Sequence, residues 1–208
     1  MTTTDARIWN RLADGYARKP ISDQKAYQHK LDITQSYMHS EMQVLEFGCG
    51  TGGTALYHAP KVAHITGIDF SEAMIGHAKT RKRTEGIENV AFEVASIEAW
   101  NAPAASYDMI LGLSVLHLLR DPQAAVEHVF SLLKPGGYFV SSTVCNDTIP
   151  LPIRAILPLA RWIRLAPKVN LRSEAALMRG FEAAGFEVIY QWRPNRAAAA
   201  FCVARKPA

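Results

Sequence analysis

The residues best placed to do chemistry lie between Glu46 and Asp69. Glu46 stands in an apolar run, Val44-Leu45-Glu46-Phe47, and is followed by Gly48-Cys49-Gly50-Thr51-Gly52-Gly53. The run reads as a strand, the glycines as a tight turn, and Thr54-Ala55-Leu56-Tyr57 as the resumption of a helix. A turn without Cβ atoms lets a ligand approach the backbone closely. Free amides at a helix start, with the helix dipole behind them, favour an anionic group such as a phosphate or a carboxylate. Asp69 closes the next strand, about 20 residues past the loop, where an acid accepts hydrogen bonds from ribose hydroxyls and repels a 2′-phosphate. The pattern is that of a nucleoside ligand with an anionic end, and to this point it fits NAD as well.

The elements that must position these residues alternate in type. Residues 5–40 read as two helices: Ile8, Trp9, Leu12 and Tyr16 recur at helical spacing up to Pro20, and Ser22-Asp23 precedes a second helix with Tyr27, Leu31, Thr34 and Met38 on one face. They are expected either to cover the glycine loop as a lid or to pack on a sheet edge. Strand 44–47 leads to helix 53–60, and strand 63–69 to helix 71–85 with Ser71 as its N-cap. Strand 90–95 follows, then strand 107–113 and helix 122–133, opened by Asp121-Pro122. Lys134-Pro135-Gly136-Gly137 reads as a turn before strand 138–144. Ser173 caps a helix over 174–184, and two last strands over 186–190 and 199–204 suit a hairpin. Strands separated by helices predict right-handed crossovers and a doubly wound, mostly parallel α/β sheet with helices on both faces. In such sheets ligands bind beyond the C-terminal strand ends, where the Gly48 loop falls.

Composition sets the bounds. With 208 residues, 49% hydrophobic and 20% charged, the chain is globular and of the length of one ordinary domain. A net charge of +4 permits anionic partners without requiring them. Cys49, Cys145 and Cys202 form neither a disulfide framework nor a zinc pattern, and the histidines show no metal-ligand pairing, so no metal is expected. The start carries no signal-peptide pattern, and no apolar run is long enough to span a bilayer, so a cytoplasmic location is expected. The rhythm breaks over 146–172, where four prolines divide an apolar stretch bearing Arg154, Arg161 and Arg164. This reads as a short helical insertion after the fifth strand, expected to roof a pocket, touch a partner, or contact a membrane surface through 150–165.

Taken in order, Glu46-Phe47-Gly48-Cys49-Gly50-Thr51-Gly52, Gly67-Ile68-Asp69-Phe70-Ser71, Tyr107-Asp108-Met109-Ile110 and Leu132-Leu133-Lys134-Pro135-Gly136-Gly137 resemble the class I S-adenosylmethionine-dependent methyltransferases. The resemblance covers roughly residues 40–145. It implies seven strands with the last antiparallel, and a single domain over 1–208: N-terminal helices 1–40, cofactor-binding core 41–145, insertion 146–172, and C-terminal helix and hairpin 173–208. It implies S-adenosyl-L-methionine as cofactor and S-adenosyl-L-homocysteine as product. By the same resemblance Glu46 and the loop of Gly48, Cys49, Gly50 and Gly52 hold the amino-acid end, Asp69 the ribose, and Phe70 and Met74 flank the adenine. Ser96-Ile97 stands where the family often has an acid and an apolar residue at the adenine amine; Ser96 departs from that pattern. Leu113 and Ser114 pass the methionine portion, and Tyr16 resembles an N-terminal tyrosine placed over the cofactor.

A sulfonium methyl is already electrophilic, so the protein must align a nucleophile and exclude water. A base is needed only for a nucleophile with a tightly held proton. His117, just past the fourth strand, is the candidate for that base or for a substrate contact. Cys49 beside a helix start is read as a small side chain filling a tight turn rather than a nucleophile. Asp108, at the start of a strand, falls at the end away from the ligand. Neither the polar residue with Pro-Pro-aromatic of the base-amine methylating members nor the Pro-Cys pair of the cytosine-C5 enzymes is present, which disfavours nucleic-acid substrates. The expected acceptor is a small molecule, apolar or amphiphilic in keeping with the 146–172 stretch. Two alternatives stand beside this: an NAD-binding oxidoreductase, disfavoured by the glycine spacing and the Lys134–Gly137 turn, and a non-catalytic binding protein on the same fold.

Overall fold

The computed structural model describes residues 3–146, 170, 172–195 and 197–208. Two helices come first, α1 (Thr3–Arg18) and α2 (Gln24–Ser36). The sheet is then built from β1 (Gln43–Phe47), β2 (His64–Asp69), β3 (Val90–Val94), β4 (Tyr107–Leu113), β5 (Leu133–Thr143), β6 (Glu187–Trp192) and β7 (Ala200–Arg205). Between them run α3 (Gly53–His58), α4 (Glu72–Glu85), α5 (Pro122–Leu132) and α6 (Glu174–Ala183). The strand order is β3-β2-β1-β4-β5-β7-β6. The first five strands pair in parallel, and β7 is antiparallel to both β5 and β6. The expected seven strands and antiparallel final strand are therefore present. The chain reverses its direction across the sheet between β1 and β4, and the crevice beyond their C-terminal ends is the ligand position of such folds.

Local chemistry places the helices where the sequence put them. The Asp23 carboxylate accepts the Ala26 amide at 2.9 Å, and the Ser71, Asp121 and Ser173 side chains each accept an amide from the first turn of their helices. α4 ends at Gly86 in the left-handed conformation. Helix 53–60 is shorter than expected: α3 stops at His58 and a 3₁₀ turn with Pro60 follows.

Two apolar clusters lie on the two faces of the sheet. One joins Leu45, Phe47, Ile110 and Phe139 to α5 and α6 through Val126, Val129, Leu177 and Phe181. The other joins Val44, Met109, Leu111 and Val140 to α3 and α4 through Ala55, Leu56, Ile75 and Ala78, with Ile33 of α2 against it. Alternate residues of β1, β4 and β5 thus serve opposite faces.

The structure corrects two local expectations. Residues 134–137 do not separate α5 from a strand beginning at 138. β5 begins at Leu133, which pairs with Tyr107, and the ladder then jumps to Met109 opposite Tyr138. The Lys134–Gly137 turn is a bulge inside the strand, and Asp108 anchors it: one carboxylate oxygen accepts the Lys134 ammonium at 2.8 Å and the other accepts the Gln43 amide at 2.8 Å. Of the two placements expected for the N-terminal helices, α1 does not take the one on a sheet edge. Among the described side chains of α1, Ala13 is the fully enclosed one, while Leu12 and Tyr16 are exposed, because α1 packs on α4 rather than on the sheet.

The insertion expected over 146–172, with its arginines and the membrane-surface contact through 150–165, lies outside the described residues apart from positions 146, 170 and 172. Among the described residues no helix is long and apolar enough to cross a membrane, and no group of His, Cys, Asp and Glu is arranged to hold a metal ion.

Candidate active site

The loop after β1 is fastened to the end of β2. The Cys49 amide donates to the Ile68 carbonyl at 3.0 Å. The Gly50 amide donates to Asp69 Oδ2 at 3.0 Å, and Asp69 Oδ1 accepts the Ser71 amide at 2.9 Å. One carboxylate thereby ties the glycine loop to the N-terminus of α4. The Gly52 amide closes the turn on the Cys49 carbonyl at 3.0 Å. The Gly50 amide is thus committed to Asp69 and the Gly52 amide to the turn, and at Gly52, with φ +78°, a Cβ would meet Phe92 Cζ at 2.6 Å. Gly48 shows why that position tolerates no side chain: its φ is +66°, and a Cβ there would meet Val115 Cγ2 at 2.5 Å.

Glu46 carries the most informative electrostatics. It is 3% exposed, and its Oε2 has no hydrogen-bond partner. Burial raises its pKa to about 8, the Ala55 amide draws it back, and the Asp69 charge adds to the rise. A buried carboxyl oxygen without a partner is costly in a folded protein and is met where a ligand completes it. Asp69 is also raised by burial and held back by its two amide bonds. A carboxylate offers about four acceptor positions, so those two bonds leave it able to accept from hydroxyls.

Tyr16 lies over this loop. A Cβ on Gly50 would stand 3.8 Å from Tyr16 Cε1, while the residue as a whole remains 54% exposed. Its phenol is raised by desolvation and then by the charges of Glu46 and Asp69, so it is held as a neutral donor. Tyr27 of α2 stands beside it, with its hydroxyl 3.2 Å from Thr54 Oγ1. The structure therefore brings Tyr16, Glu46, Gly50 and Asp69 together, and adds Tyr27 and Thr54.

The remaining candidates fall around this centre. Phe70 is half-buried after β2, and Met74 is buried at the start of α4 yet belongs to neither apolar cluster. Ile97 is buried and Ser96 half-buried at the turn after β3. Leu113 ends β4, and Ser114 follows in the left-handed region with φ 58°, a strained conformation for a residue with a Cβ. Cys49 is buried, and its thiol is pushed well above the ordinary range by desolvation, with Glu46 and Asp69 adding to this, so it is not a thiolate nucleophile.

His117 sits apart from Tyr16. It lines a small cleft with Thr143, Cys145, Asn170 and Arg172, on the α5 and α6 side of the sheet. Its carbonyl accepts the Asn170 amide at 2.6 Å. Its Nδ1 is buried without a partner, and burial lowers the imidazole to about 4. The ring is neutral at neutral pH.

Sequence reasoning missed Asn10. Its Oδ1 accepts the Ser71 hydroxyl at 2.6 Å and the Ala73 amide at 3.3 Å, and nearby the Asp14 carboxylate meets His77 Nε2 at 2.8 Å. Asn10 and Asp14 lie one helical turn apart on α1, which is the signal that one side of this helix docks on another element.

Comparison with known proteins agrees with this geometry. Residues 21–191 match the family model described as a methyltransferase domain. The chain is 33% identical over 110 residues to the uncharacterized methyltransferase YcgJ of Bacillus subtilis (strain 168), covering 53% of this chain and 44% of that protein. It is 33% identical over 136 residues to the ubiquinone biosynthesis O-methyltransferase of Coxiella burnetii (strain RSA 493 / Nine Mile phase I), covering 65% of this chain and 57% of that one. The chain spans about half the length of the curated relatives it matches. The fold is shared with the crystal structure of an S-adenosylmethionine dependent methyltransferase from Mesorhizobium loti, with a TM-score of 0.73 at 19% identity over 88% of this chain and 99% of that one. The chain belongs to the methyltransferase-domain family, and its architecture is that of the class I, S-adenosylmethionine-dependent members.

Proposed function

We propose that this protein is an S-adenosylmethionine-dependent methyltransferase acting on a small-molecule acceptor. The observation that carries the reading is the buried, unpartnered Oε2 of Glu46 at the end of β1, opposite the carboxylate of Asp69 at the end of β2. An α-ammonium and a ribose diol are the groups those two carboxylates would accept from, and one amino-acid nucleoside presents both. The pyrophosphate of NAD offers Glu46 only like charge. The strand order, with β7 inserted antiparallel between β5 and β6, also departs from the 3-2-1-4-5-6 order of dinucleotide-binding sheets.

Glu46 would hold the ammonium, Asp69 the ribose, Phe70 and Met74 the adenine faces, and Ser96 and Ile97 its edge. Gly48, Cys49, Gly50 and Gly52 would shape the cradle, and Leu113 and Ser114 would line the way to the reacting end. When bound, S-adenosylmethionine supplies an electrophilic methyl group on a sulfonium. Tyr16 would cover the loop and exclude water. His117, a candidate base or substrate contact by the sequence, would have to reach the acceptor from its own cleft on the α5 and α6 side, and the burial that lowers it to about 4 makes it a weak base. An apolar or amphiphilic acceptor is supported by the composition of residues 146–172, and an oxygen acceptor by the name of the Coxiella burnetii relative.

Thermal-shift titration with S-adenosylhomocysteine and, separately, NAD tests this reading. Stabilisation by S-adenosylhomocysteine and none by NAD is expected; the reverse pattern would reject it.

A further inference from the structure

α2 crosses the face of the sheet that carries Glu46, and Lys30 lies on its inner side between Tyr27 and Thr34. The Lys30 ammonium donates to the Ser142 hydroxyl at 2.9 Å. Ser142 is 2% exposed, one residue from the C-terminal end of β5. Among the described residues no carboxylate makes an ion pair with Lys30. Desolvation lowers its pKa, and the charge of Asp23 only partly offsets this. An ammonium has three donors, and a half-buried one served by a single hydroxyl is under-solvated unless an anion completes it.

Its place in the fold says which anion. Ser142 pairs with Leu113, and its carbonyl accepts the Ser114 amide at 2.7 Å, so Lys30 reaches the strained end of β4. Val44 and Val140 belong to the same face of the sheet. Glu46 and Ser142, two residues further along β1 and β5, therefore point to that face too. β4 separates those strands, which puts the two side-chain rows about 10 Å apart. Glu46 and Lys30 thus bracket the crevice from opposite sides, with the strained β4 end between them.

We propose that Lys30 is the acceptor-recognition residue of this site, and that the acceptor presents an anionic oxygen group, a carboxylate or an ionised phenol or enol, to its ammonium. This rests on the methyltransferase reading above. Ser142 accepts from Lys30 and keeps its own O–H to donate to the same anion, so two donors converge on one group. An oxygen that arrives ionised needs no proton removed, so the site requires no general base beside Lys30.

The test uses the full chain saturated with S-adenosylhomocysteine. Benzoate, cyclohexanecarboxylate and octanoate, and the primary amide of each, are added while the melting temperature is followed. At least one carboxylate is expected to raise the melting temperature of the wild-type complex by about 2–4 °C, with its amide inert. Lys30→Met should lose that rise while keeping the shift due to S-adenosylhomocysteine, and Lys30→Arg should restore part of it. Ser142→Ala, a second and independent variant, should shrink the carboxylate response. Equal response to carboxylate and amide, no response to any carboxylate, or a full response in Lys30→Met would overturn the proposal. Failure of S-adenosylhomocysteine to stabilise the wild type would instead overturn the cofactor reading, a result distinct from the others.

Discussion

Asn10 on α1 accepts the Ser71 hydroxyl at 2.6 Å, and Ser71 is the N-cap of α4. That hydroxyl also accepts the Met74 amide at 3.2 Å, and the Ser71 amide donates to Asp69. One serine therefore connects the N-terminal helix, α4 and the carboxylate of Asp69. The placement of Tyr16 over the glycine loop depends on this connection, because α1 packs on α4 and not on the sheet.

Replacing Asn10 by alanine removes the acceptor for Ser71 and Ala73 at once. At about 0.5–1.5 kcal/mol for each bond, the α1 amides should exchange roughly tenfold faster with deuterium while those of β1 and β4 are unchanged. Equal protection of α1 in wild type and Asn10→Ala would show that other contacts hold the helix.

Glu46 makes stability depend on pH in a direction opposite to that of a paired carboxylate. Its folded pKa lies at about 8 against an ordinary 4.5, so between these values the folded state holds the extra proton. Its contribution is complete below about 4.5 and is lost as pH rises through about 8. In the absence of cofactor, Glu46→Gln should match the wild type in melting temperature near pH 5 and exceed it increasingly toward pH 9. Parallel melting curves across that range would contradict the burial argument.

Asp69 ties the loop to α4 through two amide bonds, at 3.0 and 2.9 Å. Asp69→Ala leaves both amides without their acceptor, a loss of about 1–3 kcal/mol per unsatisfied group, and removes the proposed ribose acceptor as well. Denaturant unfolding and titration with S-adenosylhomocysteine should both register the change. Asp69→Asn, which keeps one acceptor oxygen, should recover part of the stability.

Tyr16 offers its ring to the loop beside Gly50, and the charges of Glu46 and Asp69 help to keep its phenol neutral. Tyr16→Phe should leave the affinity for S-adenosylhomocysteine within about threefold. Tyr16→Ala, which uncovers Gly50, should speed its dissociation by roughly tenfold, the effect of losing partial burial of one large side chain. Stopped-flow dissociation distinguishes the two, and equal rates in both variants would argue that the ring does not cover the ligand.

Features governed by neighbours in the chain were readable from the sequence. Ser71, Asp121 and Ser173 cap their helices because a cap needs only a short polar side chain three residues ahead of a free amide. The spacing of Glu46, Gly48, Gly50 and Asp69 was readable because two consecutive strands and one turn suffice to bring them together. Features governed by distant partners were not. The start of β5 at Leu133 depends on Tyr107 as its partner, so a Pro-Gly-Gly bulge looked like a terminating turn. The helical spacing of Ile8, Leu12 and Tyr16 gave α1 its helix but not the element it packs against, which Asn10 and Asp14 decide. Lys30 left a trace as a charge between Tyr27 and Thr34 on an otherwise sheltered face, but its meaning appears only with Ser142 opposite. His117 and Tyr16, read as candidates for one centre, lie in different parts of the structure because the residues after β4 turn toward α5 while α1 docks on α4.

The proposed role of Glu46, to receive the ammonium of the cofactor, is open to direct measurement. Calorimetric titration of S-adenosylhomocysteine at pH 7, in two buffers of different ionisation enthalpy, tests this for the wild type and Glu46→Gln. With a folded pKa of about 8, Glu46 is mostly protonated at pH 7. Binding an ammonium should therefore release close to one proton from the wild type and none from the variant. The variant should also bind roughly 10–100-fold more weakly, as expected for a charge-assisted hydrogen bond of about 1.5–3 kcal/mol. Equal affinity in the two proteins, with no buffer dependence in either, would contradict the account.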